Sequence, residues 1–159
     1  MQKISPFLWF EDHAEEAVSF YTSLFDDARI VKTLRYPENS TVGTPGSVMA
    51  ITFELEGQEF LALNGGPEPG FRFNPSISFY VHCEDQAEID RLWEPLLDGG
   101  EPQQCGWLTD RFGVTWQIVP TRLDEMLTDP DQAKVERVTD AFMKMEKFDI
   151  AELEAAYAG

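Results

Sequence analysis

Glu11-Asp12-His13-Ala14-Glu15 near the start of the chain and Glu84-Asp85-Gln86-Ala87-Glu88 near its middle are two copies of one pattern. In each copy an aspartate, which can accept hydrogen bonds from the first backbone N–H groups of a helix, stands three residues before a glutamate. Such a capping box marks the start of a helix, and the two copies lie 73 positions apart. The sequence therefore predicts an internal repeat with helices that begin at Asp12 and Asp85.

The segments around both helices also repeat. After Asp12, apolar side chains recur with the i, i+3, i+4, i+7 spacing of an amphipathic helix, at Ala14, Ala17, Val18, Tyr21, Leu24 and Phe25. Strands are predicted at residues 3–10, 28–36, 47–56 and 58–64 of the first copy and at 76–83, 103–108 and 113–119 of the second. Pro6 indicates that the first strand lies at a sheet edge or has an irregular start. Each copy has the order strand, helix, strands.

This order predicts an α+β protein made of two tandem βαβββ modules. We expect the modules at about residues 1–66 and 74–120, so that residues 1–120 form one paired body. Their curved sheets are expected to face one another, with the helices packed outside. The space between facing sheets is then the expected place for a ligand.

Residues 121–159 are predicted to form a helical C-terminal extension, with helices at 121–127, 131–147 and 150–157. An apolar stripe runs along it, formed by Val135, Val138, Phe142, Met145 and Ile150. At about 25 cal/mol per Å2 of apolar surface, leaving several such side chains in water forfeits several kcal/mol. The stripe is therefore expected to cover a second copy of the chain in a homodimer, or the chain's own body.

Charge and composition exclude several partners. The chain carries 29 acidic and 12 basic residues, a formal net charge of -17, with no cluster of lysine and arginine. Such a field repels phosphate backbones and anionic lipid headgroups, so nucleic-acid and membrane-surface roles are disfavoured. Residues 1–6 lack the basic start and long apolar run that are typical of a signal peptide, and no stretch of the sequence approaches 18 apolar residues. Cys83 and Cys105 suit free thiols of a reducing compartment, and we expect a cytoplasmic protein.

The run Cys105-Gly106-Trp107-Leu108-Thr109-Asp110-Arg111-Phe112-Gly113-Val114-Thr115-Trp116-Gln117-Ile118-Val119-Pro120 resembles a family signature. It is similar to that of the PhnB-like proteins, often labelled 3-demethylubiquinone-9 3-methyltransferase, in the vicinal oxygen chelate (glyoxalase/bleomycin-resistance/dioxygenase) superfamily. The resemblance covers essentially the whole chain. It includes Phe7-Leu8-Trp9-Phe10, Ala14-Glu15-Glu16-Ala17, Leu63-Asn64-Gly65-Gly66-Pro67 and Met143-Lys144-Met145-Glu146-Lys147-Phe148-Asp149-Ile150. Superfamily members with two modules per chain commonly either pair or close the barrel within one chain, and this resemblance favours pairing into a homodimer.

The resemblance implies a divalent metal bound by His or Glu on the first and last strand of each module. Carried onto this chain, three of those positions are Ser5, Ser76 and Gln117, and the fourth falls in residues 58–64, where only Glu59 could ligate. Hydroxyl and amide groups lack the donor strength that holds Zn²⁺, Fe²⁺ or Mn²⁺, and one carboxylate is insufficient. We therefore predict no metal and no other cofactor.

The methyltransferase label implies S-adenosylmethionine. Enzymes of the common class bind it with a doubly wound sheet and a glycine-rich turn at the start of a helix. Here the glycine-rich segment Leu63-Asn64-Gly65-Gly66-Pro67 leads to a loop, and we interpret it as the turn that closes the first module.

Strand alternation selects the residues of the expected cleft. If Gln117 faces the cleft, Trp116 faces a helix, and the same alternation aims Trp9 inward with Ser5. The predicted cleft-lining residues are aromatic or small and polar, a combination that suits a small, flat or apolar ligand. They are Trp9, Asn64, Ser78, Tyr80, Trp107 and Gln117.

Other candidates for chemistry have simpler interpretations. Cys105 could be a nucleophile, but no basic residue adjoins it, and a packed structural cysteine is favoured. His82 and Glu84 share a strand face and could form an acid/base pair or half a metal site, but a surface-facing strand end is the commoner explanation. Asp110 heads a turn before a strand, where an aspartate commonly bonds nearby backbone N–H groups. No catalytic residue is assigned.

Three functions remain open on the sequence. The first is a metal-free protein that binds a small organic molecule, with an unassigned reaction. The second is an enzyme: a metal-dependent glyoxalase or dioxygenase type, or the methyltransferase of the family label. The third is a dimeric interaction module in which the cleft is simply core.

Overall fold

The computed structural model describes residues 2–159, and the chain divides between Phe71 and Arg72 into two compact units. The first unit contains β1 (Phe7–Phe10), α1 (Ala14–Leu24), β2 (Ala28–Arg35), β3 (Val48–Leu55) and β4 (Gln58–Asn64). The second contains β5 (Phe79–Cys83), α2 (Gln86–Leu97), β6 (Glu101–Pro102), β7 (Trp107–Thr109), β8 (Thr115–Pro120), α3 (Thr121–Leu127), α4 (Gln132–Phe142) and α5 (Ile150–Ala158). In residues 2–159 no helix is long and apolar enough to cross a membrane.

The first unit is one βαβββ module. Its sheet has the order β1-β4-β3-β2, in which β1 runs parallel to β4 and the other neighbours are antiparallel. β1 lies at an edge of this sheet, one of the two arrangements that Pro6 indicates, because proline has no backbone N–H to donate to a neighbouring strand. Gly57, with φ of 78°, makes the tight turn from β3 to β4.

Helix α1 forms as the apolar spacing predicts, but its start differs from the prediction. Ala14, Ala17, Val18 and Tyr21 are buried. The capping box at Asp12 does not form: the N-cap position is His13, whose side chain makes no cap hydrogen bond. Instead the Ala14 N–H donates to Asn64 Oδ1 at 2.8 Å. A side chain that is distant in sequence satisfies the helix start, so no local pattern announces it.

The second unit repeats the topology of the first. Its sheet has the order β5-β8-β7-β6, with β5 parallel to β8 and the remaining pairs antiparallel. The predicted cap of α2 is confirmed, since Asp85 accepts a hydrogen bond from the Glu88 N–H at 2.9 Å. Two βαβββ modules followed by helices are the α+β architecture that the repeated sequence predicts.

The C-terminal helices belong to the second unit. The backbone N–H groups of Cys105 and Gly106 donate to the carbonyls of Met145 and Glu146, each at 2.7 Å. The predicted helix 131–147 therefore ends at Phe142, because the following segment pairs with the 105–106 turn. The tail places several apolar side chains in the core of this unit, namely Val138, Met145, Phe148 and Leu153.

Candidate functional site

Three of the predicted ligand-binding residues form one row across the sheet of the second module. Tyr80 on β5 pairs with Gln117 on β8, and Gln117 pairs with Trp107 on β7. Directly paired residues point to the same side of a sheet, so the two aromatic rings flank a central amide. We call this side of the sheet the Gln117 face.

A fourth predicted residue joins the row through a hydrogen bond. Gln117 Nε2 donates to Ser78 Oγ at 2.8 Å, and Ser78 directly precedes β5. This bond fixes the orientation of the amide. Several groups here have no hydrogen-bond partner within residues 2–159, among them the side-chain carbonyl oxygen of Gln117, the Ser78 O–H and the Trp107 indole N–H. The Gln117 face therefore offers both donors and an acceptor beside two aromatic rings.

The opposite side of this sheet is core, which keeps the row rigid. Trp116, Ile118 and Leu108 alternate with the row residues along their strands and are buried, and α2 lies against β5, β7 and β8. Trp116 is also held by its indole N–H, which donates to Asp110 Oδ2 at 2.9 Å. Trp116 is thus buried on the side of β8 opposite Gln117, as the alternation predicts.

Asp110 is a buried carboxylate that accepts several hydrogen bonds. It is 3% exposed. Besides the Trp116 indole, the backbone N–H groups of Phe112 and Val114 donate to Asp110 Oδ1 at 2.8 and 3.0 Å. The turn-forming role predicted for Asp110 is confirmed, and its second oxygen adds the link to Trp116 that turn statistics do not predict.

The charge around Tyr80 is negative. Burial and the nearby carboxylate of Asp124 on α3 raise the pKa of the Tyr80 phenol, so the hydroxyl stays protonated at neutral pH. The His82 ring contacts the Tyr80 ring with centroids 4.9 Å apart. The phenol is therefore a neutral hydrogen-bonding group at one end of the row.

Sequence reasoning missed one polar residue of the Gln117 face. Thr115 lies two positions before Gln117 on β8, pairs with Thr109 on β7, and is 2% exposed. Among the described residues, Thr115 Oγ1 is the buried side-chain polar atom that lacks a hydrogen-bond partner. A threonine in a strand is common enough that only three-dimensional packing could single it out.

The two remaining predicted site residues lie in the first module and have structural partners. Asn64 holds α1 through Ala14, as described above, and Asn64 Nδ2 donates to the Val48 carbonyl at 3.1 Å. Trp9 Nε1 donates to the Gly66 carbonyl at 3.1 Å. The Trp9 ring packs so closely on Gly65 that an added Cβ would lie 2.3 Å from it. Both residues fix the 64–66 turn that closes the module.

The positions at which the superfamily resemblance implies a metal do not fit one. Ser5 Oγ donates to Glu59 Oε1 at 2.8 Å in the first module, while Gln117 bonds Ser78 in the second. Ser76 is exposed and lies in a turn three residues before β5. In residues 2–159 no three histidine, cysteine, aspartate or glutamate residues are grouped so that they could hold a metal. A hydroxyl–carboxylate pair and an amide–hydroxyl pair are weak donor sets for transition metals.

The cysteines and His82 do not form a catalytic constellation. Cys83 is buried, and burial with nearby carboxylates raises its thiol pKa to about 12. Burial also raises the pKa of the Cys105 thiol, whose sulfur contacts Met143 Sδ at 3.8 Å. Among the contacts of the described residues, no hydrogen bond or ion pair joins His82 to Glu84, which lies beyond the end of β5. Neither thiol is activated as a nucleophile.

Known proteins are similar to this chain in sequence and fold. The family model described as 3-demethylubiquinone-9 3-methyltransferase matches residues 2–119. The PhnB protein from Bacillus cereus is 42% identical over 76% of this chain and 100% of its own, with a TM-score of 0.70. A search of the curated proteins gave no match.

Two more distant structures resemble the chain in fold. Protein PA1353 from Pseudomonas aeruginosa is 22% identical over 76% of this chain and 98% of its own, with a TM-score of 0.61. The fosfomycin resistance protein FosX from Mesorhizobium loti is 16% identical over 73% of this chain and 90% of its own, with a TM-score of 0.51. At these identities the likeness concerns architecture and not activity.

Proposed function

Because the chain belongs to the 3-demethylubiquinone-9 3-methyltransferase family of PhnB-like proteins in the vicinal oxygen chelate superfamily, we propose that it binds a small, flat organic molecule on the Gln117 face. The observation that carries the proposal is the row of Tyr80, Gln117 and Trp107. Within residues 2–159, the Tyr80 O–H, the Trp107 indole N–H and the Gln117 side-chain carbonyl have no hydrogen-bond partner. Aromatic rings beside a few oriented polar groups are the usual lining of a small-molecule site.

Each member of the row has a role in this proposal. The rings of Tyr80 and Trp107 supply apolar contact area, and their O–H and N–H groups remain available to the ligand. Gln117 is held by Ser78, so its carbonyl is presented without the entropy cost of ordering the side chain on binding.

The ligand is neutral or cationic. The nearby carboxylate of Asp124 places negative charge close to Tyr80 and helps to raise its pKa. The chain as a whole carries a net charge of -17. The hydrogen-bonding groups of the row itself are all uncharged. An anion would meet repulsion without a specific charge partner.

The test uses three pyridines of nearly equal shape: nicotinamide, 1-methylnicotinamide and nicotinate, which are neutral, cationic and anionic. The readout is the 15N–1H NMR signal of each tryptophan indole, assigned with single tryptophan-to-phenylalanine variants. We expect the Trp107 signal to move with nicotinamide or 1-methylnicotinamide, because its N–H has no partner in the free chain. The Trp116 signal should stay in place, because it bonds Asp110 on the opposite side of the sheet.

Two variants control the experiment. Gln117→Leu removes the central amide at similar volume and should abolish the Trp107 shift. Gln132→Leu changes an exposed glutamine at the start of α4 and should leave the shift unchanged. No movement of the Trp107 signal with any of the three compounds at millimolar concentration would contradict the proposal, as would an equal response to nicotinate.

We also propose that binding needs no metal. The support is the donor set at the implied positions, where Ser5 is bonded to Glu59 and Gln117 to Ser78. Elemental analysis of protein purified without chelators should find far less than one zinc, iron or manganese per chain. Addition of EDTA should leave the nicotinamide titration unchanged. About one metal per chain that is lost in Glu59→Gln would favour the metal-dependent alternative.

The reaction, if the chain catalyses one, is unassigned. The family description names a methyltransferase, but the sheets here are mixed four-stranded sheets and not the doubly wound parallel sheet of the common S-adenosylmethionine class. We place the protein in the cytoplasm on its two free cysteines, and as a homodimer on the family resemblance.

A further inference from the structure

We infer that Thr115 is a specificity-determining residue that donates a hydrogen bond to a neutral ligand carrying a carbonyl or similar oxygen acceptor. The inference rests on the proposed binding at the Gln117 face and names the chemistry of the ligand. Thr115 shares that face with Gln117, because the two residues are two positions apart on β8.

The two modules differ at this point of the repeat. The register of β1 on β4, extended by two residues, places Ser5 beside Glu59, and the Ser5 hydroxyl donates to that carboxylate. The register of β5 on β8, extended by one residue, places Ser78 beside Thr115. Thr115 therefore occupies the position in the second module that corresponds to Glu59 in the first.

In the first module Ser5 forms a hydrogen bond with Glu59, but in the second module Ser78 forms none with Thr115. The Ser78 oxygen instead accepts the Gln117 amide N–H, and the Thr115 hydroxyl remains buried without a partner. The neighbouring Thr109 hydroxyl in the same row of threonines is satisfied, since Gln103 Nε2 donates to it at 2.9 Å. A buried hydroxyl without a partner is disfavoured, and a ligand oxygen would complete it.

The unpartnered groups of this face define the ligand class. Four are donors, namely the O–H groups of Thr115, Ser78 and Tyr80 and the indole N–H of Trp107, whereas the side-chain carbonyl of Gln117 is an acceptor. A surplus of donors selects a ligand with more acceptors than donors. With no cation in the row and Asp124 nearby, a neutral carbonyl compound fits better than a carboxylate.

The test compares Thr115→Val, which removes the hydroxyl at constant shape, with Thr109→Val, which removes a satisfied hydroxyl one strand away. Without any probe, Thr115→Val should keep or raise the melting temperature, because no hydrogen bond is lost. Thr109→Val should lower it, because the Gln103 amide loses its acceptor. With nicotinamide as the probe, Thr115→Val should weaken binding about tenfold, and Thr115→Ser should restore it. Binding of 3-methylpyridine, which lacks the carbonyl, should not change.

The outcomes separate this inference from the proposed function. If nicotinamide moves the Trp107 indole signal and binds Thr115→Val as tightly as the unsubstituted protein, the binding site stands and the role of Thr115 is wrong. If Thr115→Val lowers the melting temperature as much as Thr109→Val, its hydroxyl has a partner in the free protein and the inference is overturned. If no probe moves the Trp107 signal, the proposed function fails and this inference fails with it.

Discussion

Asp110 ties together three parts of the second module: the turn at Phe112, the backbone of Val114 directly before β8, and the indole of Trp116. A carboxylate can accept all three hydrogen bonds because both of its oxygens are acceptors only. An amide of the same shape offers one acceptor oxygen and one NH2 group. At this position the NH2 group would face a donor whichever way the amide is turned.

Asp110→Asn should therefore lower the free energy of unfolding by about 2 kcal/mol, the cost of leaving buried groups unsatisfied. Urea denaturation is the measurement. Asp140→Asn provides the matched control, because Asp140 is exposed on α4. Equal stability of the Asp110→Asn and Asp140→Asn variants would show that the three hydrogen bonds contribute nothing to stability.

The two thiols should differ in reactivity. Cys83 is fully buried with a thiol pKa of about 12, whereas Cys105 is only half-buried in the turn before β7. Iodoacetamide at pH 8.5 should give one adduct per native chain, at Cys105, and two adducts in urea, as read by mass spectrometry. Cys105→Ser should give none in the native state. A first adduct at Cys83 would contradict the burial of that thiol.

The raised pKa of Cys83 also predicts a pH dependence. The thiol ionises near its ordinary pKa of 9.0 in the unfolded chain and near 12 in the folded chain. The unfolded chain therefore loses the proton first as pH rises, and stability that is fully present below pH 9 is lost between pH 9 and 12. Relative to Cys83→Ala, the protein should lose about 1 kcal/mol between pH 8 and pH 10 in urea denaturation. A parallel decline of both proteins would contradict the shift.

At the scale of elements, one side chain connects the tail to the second module. Gln86 in the first turn of α2 donates to the Phe148 carbonyl at 3.0 Å and accepts from the Ile150 N–H at 2.9 Å. Lys147 adds ion pairs to Asp90 and Glu94 on α2, at 2.9 and 3.0 Å. The start of α5 is thus fixed from α2.

Gln86→Leu should free the start of α5 and destabilise the protein by about 1–2 kcal/mol, because two hydrogen bonds are lost. Hydrogen exchange should quicken at residues 148–152, where the backbone loses its partner, and stay unchanged in α1. Lys147→Gln is the comparison for the more exposed ion pairs, which should contribute less. Faster exchange throughout the second module would mean that Gln86 supports more than the tail.

The sequence predicts the parts of the fold that depend on local patterns, but not the contacts between residues that are far apart in the chain. The repeated Asp–Glu pattern and the apolar spacing predict both modules, since these are local signals, and strand alternation predicts which side of β8 carries Gln117. The cap of α1 by Asn64 could not be predicted, because its partner is 50 residues away. The pairing of the 105–106 turn with Met145 and Glu146 is equally non-local, so the sequence places the end of that helix too late.

In the candidate site, too, some features are predicted by the sequence and others are not. Alternation within strands predicts Tyr80 and Gln117, and Trp107 is a further candidate from the sequence. The structure brings the three together because the register of three strands aligns them. Alternation does not reveal which polar atoms are already bonded. The amide of Asn64 is occupied and the hydroxyl of Thr115 is not, and only the three-dimensional packing distinguishes them.

For the whole molecule, the tail changes the argument for a homodimer. Its apolar stripe is partly buried within the chain, where Val138 and Met145 pack into the second unit together with Phe148 and Leu153. The hydrophobic motive for covering the stripe with a second copy is thereby met within one chain. The expectation of a homodimer now rests on the family resemblance, and its interface should lie outside the tail.

In sedimentation at micromolar concentration we expect twice the chain mass of 18.1 kDa. Met143→Glu places a charge on a tail side chain that is 56% exposed and should leave both the mass and the fold unchanged. A chain that ends at Pro120 should fail to give a folded second module, because the backbone donors of Cys105 and Gly106 and the core around Val138 lose their partners. A folded monomer from the shortened chain, beside a dimer of the full chain, would show that the tail is the interface. A species near 18 kDa that persists at high concentration would rule the dimer out.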